Sequence, residues 1–425
     1  MENLAKQLTV RYAFLQSTYW ICQCAIYSFA AVYLHSKNFN NMQIGFVLAM
    51  AAILSIVLQP IIAAFADKTH KICLRYIVIA LMLIVFIFAF LLYVLPDSFL
   101  LIAILYVLIN AISFTLNPLF NSLALEYMNA GIPMNYGLAR GIGSISFAVM
   151  SYMLGFFVDR FGAGILLFLF LICYCFVILA TVLFKIQLPK SIGSIDLNPN
   201  SKVSITQETN LKIPKNTSAG IFTFFKKYKK LTIFLIGVAM IFYSHTLINT
   251  YLINIMENVG GNSKDMGISL SIAATLELPA MAGFIYIIKR IKCDRLVKIS
   301  AFFFLVKAIV TWHATSVFMV HVSQGFQILS YALFIPASVY YVNSIVDDHD
   351  KVKGQAMLGV SSMGIAGTIA NITGGKILDT LGVSDMLMLG TIVTALGFIL
   401  VSFSFSNPFY TCRYGNNVLK RIPYK

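Results

Sequence analysis

Two eight-residue stretches decide the fold: GFFVDRFG, Gly155 to Gly162, and GKILDTLG, Gly375 to Gly382. They share the spacing G-x-x-x-D-x-x-G at an offset of 220 residues, and each closes a long apolar run. Outward from them, further apolar runs lie near 10–35, 43–65, 74–95, 98–124, 137–158 and 163–185. After a polar interval come runs near 231–255, 266–288, 296–316, 320–344, 354–378 and 385–406. A helix needs about 20 residues to cross about 30 Å of hydrocarbon, so each run is long enough to span a bilayer. The two motifs then close the fifth helix of two six-helix halves.

Composition agrees with this reading. The 425 residues are 59% hydrophobic and 11% charged, with mean hydropathy +0.84, whereas soluble domains carry about 25% charged residues. The ten-residue alternation of an outer-membrane barrel is absent. The expected fold is an all-α membrane protein of twelve transmembrane helices in two six-helix bundles, residues 1–185 and 231–406. Between them, residues 186–230 contain SIGSIDLNPNSKVSITQETN and end in FFKKYKK. That Ser/Asn/Lys-rich composition cannot bury a core and reads as a cytoplasmic linker. Residues 407–425 form a basic cytoplasmic tail.

Charge placement orients the spans. With both termini inside, 25 of the 31 Lys and Arg residues fall on inner segments, and only Lys37, Arg160, Lys264 and Lys376 on outer ones. The positive-inside rule is satisfied by an even number of spans. The same distribution accounts for the net charge of +15 through inner loops that face anionic lipid, so no nucleic-acid partner is expected. Met1 to Val10 is short and polar, and no cleavable signal peptide is expected. The seven cysteines include the Cys22/Cys24 and Cys173/Cys175 pairs, whose spacing puts neighbours on different helix faces and suggests neither a disulfide framework nor a zinc site. His349, between Asp348 and Asp350, reads as part of a solvated charge cluster. No cofactor is expected beyond a possible coupling proton. No nucleophile with a base, metal cluster or phosphate loop appears, and the chain is not expected to be an enzyme.

The remaining two basic residues, Arg140 and Lys307, lie inside spans, where a charge at the bilayer centre costs about 2.5–3.5 kcal/mol even on lenient scales. Glu277, in LELPA, is about mid-span, and Lys307 is equally central one helix later. Opposite charges on consecutive helices form either a structural ion pair or a pair that opens when substrate or a proton binds. Arg140, in NYGLARGIGSISFAVM, stands a turn inside its span. It either snorkels to the inner interface or offers its planar fork of donors to an oxygen-rich ligand. Uncharged polar residues also share helix faces. In the fourth helix these are Asn110, Ser113, Asn117 and Asn121; in the first, Tyr19, Gln23 and Tyr27; in the seventh, His245 and Asn249; in the tenth, Gln324, Gln327 and Tyr331. Such stripes either bond helix to helix or line a wet cavity that suits hydroxyl-rich ligands.

Two six-helix halves running in the same direction have the layout of a major facilitator transporter. The residues resemble the oligosaccharide:proton symporter (lactose permease-like) branch of that superfamily over nearly the whole chain outside the linker and tail. QPIIAAFADKTHKICLRY resembles the family's loop between helices two and three, which implies a gating role for Asp67, Lys68 and Lys71. YGLARGIGSISF is similar to its fifth helix and places Arg140 on the sugar-binding arginine, with Phe147 where the family stacks a tryptophan on the sugar ring. Glu277 falls on the glutamate that recognises sugar hydroxyls, and Lys307 on an arginine involved in proton coupling.

The chain also departs from that pattern. The fourth-helix glutamate that partners the arginine aligns with Ser122, although Asn121 is adjacent and Glu126 lies one turn on. The tenth-helix lysine, histidine and proton-carrying glutamate align with Gln324, Gln327 and Ser330. Any proton load therefore falls on Glu277 with His245 or Lys307. The implied function is a secondary active transporter of the plasma membrane, a monomer with both termini cytoplasmic. It would move a small polar solute, an oligosaccharide first, by alternating access with proton symport. Substrate contacts are expected from Arg140, Glu277, Phe147, Gln23, Asn117, His245, Asn249, Gln324 and Gln327. The alternatives are a nucleoside or aromatic-acid proton symporter, an uncoupled facilitator or exporter, and a transporter-like membrane sensor.

Overall fold

The computed structural model describes residues 2–68, 73–129, 134–184, 221–347 and 350–405. Most of the expected linker and the whole tail lie outside them, as do Lys71, Asp348 and His349, while Asp67 and Lys68 are placed only as the last backbone turn of a helix. Every regular element among the described residues is helical. In the first half these are α1 (Glu2–Gln23), α2 (Ala30–Ser36), α3 (Asn41–Lys68), α4 (Leu74–Val94), α5 (Phe99–Asn129), α6 (Tyr136–Phe161) and α7 (Ile165–Leu183). In the second half they are α8 (Ile221–Lys227), α9 (Lys229–Thr250), α10 (Leu252–Asn258), α11 (Ser263–Arg290), α12 (Cys293–Trp312), α13 (Val317–Gly325), α14 (Tyr331–Ile345), α15 (Lys351–Gly359), α16 (Ala366–Thr380) and α17 (Val383–Ser404).

Among the described residues, ten helical stretches are long and apolar enough to cross a membrane. Their outer faces explain why: α4 buries Val78, Met82, Val85 and Ala89 but exposes Leu83, Ile84, Ile87 and Phe90, an apolar exterior that only lipid tolerates at this extent. The other two expected spans are helical but more polar. The first is rich in Gln, Thr and Tyr, and the ninth, α12, carries Asp294, Arg295, Lys298 and Lys307.

Three expected spans are interrupted. A π-helical turn, Cys24–Ser28, separates α1 from α2, and a second, Val360–Ile365, joins α15 to α16. Between α13 and α14 the chain tightens into a 3-10 turn, Phe326–Ile328, and passes through Ser330 at φ −87, ψ −93. The freed polar groups find partners. Tyr106 donates to Ile26 O at 2.6 Å, and Ser330 donates through both its amide and its Oγ to Phe326 O. Such departures from regular helix recur at functional sites in membrane proteins.

The chain forms two compact units that do not follow the halves. Unit 1 comprises residues 1–27, 53–147 and 166–227; unit 2 comprises residues 28–52, 148–165 and 228–425. Within unit 2 the two G-x-x-x-D-x-x-G motifs acquire a physical reading. Their last glycines, Gly162 and Gly382, have φ of +79 and +88 and end α6 and the α15–α16 helix in the left-handed conformation that glycine adopts freely. Their first glycines admit neighbouring backbone. A Cβ on Gly155 would meet Ser263 O at 2.8 Å and Gly267 Cα at 3.0 Å, and one on Gly375 would collide with Asn41 O. Asp379 then caps the start of α3. Its carboxylate accepts from Asn41 N at 3.2 Å, Asn41 Nδ2 at 2.7 Å and Met42 N at 2.7 Å, so it satisfies amides that have no partner inside their own helix. Asp159 is exposed, and α11 has its own capping box from Asn262 and Asp265.

Candidate functional site

In unit 1 the site grows from one face of α1. Tyr12, Gln16 and Trp20 are spaced by four residues, so they stack along the helix. Tyr12 donates to Asn121 Oδ1 at 3.0 Å, Gln16 Nε2 donates to the Tyr12 hydroxyl at 2.7 Å, and Trp20 Nε1 donates to Gln16 Oε1 at 3.1 Å. Tyr136 donates to the same Asn121 oxygen at 2.9 Å and stacks on Tyr12 at 5.6 Å. Every member of this chain has a partner, which fixes the Trp20 indole. Gly143 on α6 makes room for it, since a Cβ there would lie 2.7 Å from Trp20 Cδ1.

Arg140 lies over that indole, 4.4 Å from the ring centroid. A cation in this position gains about 0.5–2 kcal/mol, depending on how dry the site is. The residues alone left the role of Arg140 open between the interface and a ligand; the structure places it half-buried against Trp20. Its one hydrogen bond among the described residues is a long contact of 3.5 Å to Ser144 Oγ, and no carboxylate there pairs with it. Ser122, at the expected position of a partner glutamate, donates back to Pro118 O, and Glu126 is exposed. Phe147 stands edge-on to Trp20 at 6.3 Å, so the large aromatic beside the arginine comes from α1. Sequence reasoning missed Trp20 because Gly143, which makes room for its ring, and Arg140, which lies over it, are more than a hundred positions away.

The polar stripes of the same unit are only partly satisfied. Gln23 Nε2 donates to the Tyr19 hydroxyl, which donates to Ser113 O. Gln23 Oε1, Asn110 Oδ1 and Asn117 Oδ1 are buried without a partner among the described residues. Buried polar atoms normally have one, so such orphans point to water or a ligand.

Unit 2 brings together three residues of the expected site. Lys307 Nζ, on α12, donates to Gln327 Oε1 at 2.7 Å, and Gln327 Nε2 donates to Glu277 Oε1, on α11, at 2.9 Å. The two opposite charges are joined through an amide that the break between α13 and α14 supplies. Lys307 is 1% exposed. Its ammonium would cost several kcal/mol if stripped of partners, and each hydrogen bond to a charged group offsets about 1.5–3 kcal/mol. Gln324, one turn before Gln327, is fully buried, and neither of its amide atoms has a partner among the described residues. His245 stacks on Tyr331 at 5.1 Å and shares a 3.0 Å hydrogen bond with Asn249, while its Nδ1 is unpartnered. The described cysteines are free thiols.

The chain is similar to known transporters. It is 24% identical over 95% of each chain to the uncharacterized transporter YwbF of Bacillus subtilis (strain 168), and 21% identical over 89% of each to a maltose permease of Geobacillus stearothermophilus. Its fold is similar to that of the nucleoside transporter NupG, with a TM-score of 0.74 over 95% of this chain and 98% of that one at 15% identity. It is also similar to a bacterial homolog of the human lysosomal transporter Spinster in an inward-facing, unoccupied conformation, with a TM-score of 0.67 over 95% and 97% at 13% identity. Residues 12–380 match the MFS_1 like family. The chain therefore belongs to that family: it is a multi-pass membrane transporter of the major facilitator type and not an enzyme.

Proposed function

We propose that this protein is a secondary active transporter of the plasma membrane that moves a small polar solute, an oligosaccharide first, by alternating access coupled to protons. The observation that carries the reading is the chain Glu277–Gln327–Lys307, two opposite charges linked through an amide in a broken membrane helix. A bridged pair has a carboxylate and an ammonium whose hydrogen bonds a solute or a proton can take over. The unsatisfied Gln324, His245 and Asn117 atoms support a polar solute, and the maltose permease relative supports a sugar. Twelve spans in two six-helix bundles, residues 1–185 and 231–406, with cytoplasmic termini and a monomeric state complete the reading. Asp67, Lys68 and Lys71 are assigned to an inner gate.

The test is time-resolved uptake of labelled disaccharides, trisaccharides, nucleosides and aromatic acids by cells that express the protein, with and without a protonophore. Accumulation of a sugar above equilibrium that the protonophore abolishes is the expected result. A sugar that only equilibrates makes the protein a facilitator, and flux of no solute makes it a sensor.

A further inference from the structure

The charge balance of unit 1 narrows the substrate. Arg140 is a permanent cation in a membrane helix with no carboxylate partner among the described residues and a single long hydrogen bond, so four of its five N–H donors are unused there. What faces it is an aromatic surface, the Trp20 indole. An indole face is a weak substitute for an anion, and a bidentate carboxylate matches the guanidinium fork far better. The orphan atoms on α1 and α5 add a second requirement. Gln23 Oε1, Asn110 Oδ1 and Asn117 Oδ1 are acceptors, so what satisfies them must donate, as hydroxyl groups do. The third element is the indole itself, which is seated by Gln16 and Gly143 and is the largest rigid surface beside the arginine.

We propose that this constellation binds a hydroxyl-rich monoanion with a ring, an acidic saccharide of the uronate type, whose carboxylate takes the guanidinium of Arg140 and whose ring face takes over the Trp20 indole. Binding then moves Arg140 off the indole and onto the carboxylate. The inference rests on the transport reading above and adds the charge of the solute to it.

The chain has two tryptophans, so Trp312→Phe leaves Trp20 as the sole indole emitter. The probes are two matched pairs, methyl glucoside with methyl glucuronide and methyl galactoside with methyl galacturonide. They are titrated against the emission of the purified Trp312→Phe protein and offered for uptake to proteoliposomes that hold it. The expected result is that an acidic member shifts the Trp20 emission and is taken up at least ten-fold faster than its neutral partner. Arg140→Gln erases that preference at an unchanged melting temperature, and Arg140→Lys keeps part of it. Neutral members taken up as fast as the acids would overturn the charge inference and leave the transport reading standing. Trp20 emission unmoved by all four probes, with none taken up, would overturn this inference and the sugar reading together, leaving the nucleosides and aromatic acids of the wider panel to decide transport.

Discussion

Lys307 and Glu277 separate a structural role from a working one. Lys307→Met leaves the Glu277 carboxylate without the cation that Gln327 relays to it. Breaking a fully buried charge pair from one side costs about 3–5 kcal/mol, and the half-buried Glu277 should make the loss here smaller. The double variant Lys307→Met with Glu277→Gln removes both charges and should recover most of the lost melting temperature, because the two sites are coupled. Uptake should stay at background in the single and the double variant. A double variant that transports at the wild-type rate would reduce the pair to packing. Gln324 makes the complementary case: a fully buried amide without a partner costs about 1–3 kcal/mol of desolvation. Gln324→Leu should therefore raise the melting temperature while it lowers uptake, and a variant that loses both would mean that the amide is already satisfied.

Among the elements, the contact between α6 and α11 and the cap on α3 are the most exposed to test. A Cβ on Gly267 would collide with Ser151 O, so Gly267→Val cannot keep these helices at their present separation. Alkylation of a cysteine introduced at Ser263, which packs on Gly155, should speed up at least ten-fold in that variant. An unchanged rate would show that the contact opens freely already. Asp379→Ala removes three charge-assisted hydrogen bonds from the start of α3. The variant should lose about 1–2 kcal/mol of stability, the range for a strong helix cap, whereas Asp159→Ala, at an exposed position without a cap to supply, should lose less than about 0.5 kcal/mol. Helix positions were legible in the sequence because apolar runs and loop charges mark them. The breaks were not: no proline stands at Cys24–Ser28, Phe326–Ile328 or Val360–Ile365, and the first two carry hydrogen bonds from Tyr106 and Ser330, the third one from Ser362 to Leu358 O, that periodicity does not encode.

For the molecule as a whole, charge made the site legible and aromatic packing hid it. Arg140, Glu277 and Lys307 stand out in any reading of apolar spans because each pays to be there. Gln327 reads as one polar residue among several until the helix break aims it between two charges. Trp20 reads as a routine aromatic until Gly143 and Gln16 seat it under Arg140. The division of labour we propose is an arginine and an indole that hold the solute in the first half and a bridged charge pair that carries coupling in the second. The most direct test is solute flux through purified protein in proteoliposomes, wild type against Arg140→Ala, with neutral and acidic sugars, nucleosides and aromatic acids offered under an inward proton gradient. The account predicts concentrative uptake of one solute class by the wild type and none by Arg140→Ala at equal incorporation. Full-rate uptake by Arg140→Ala would contradict it.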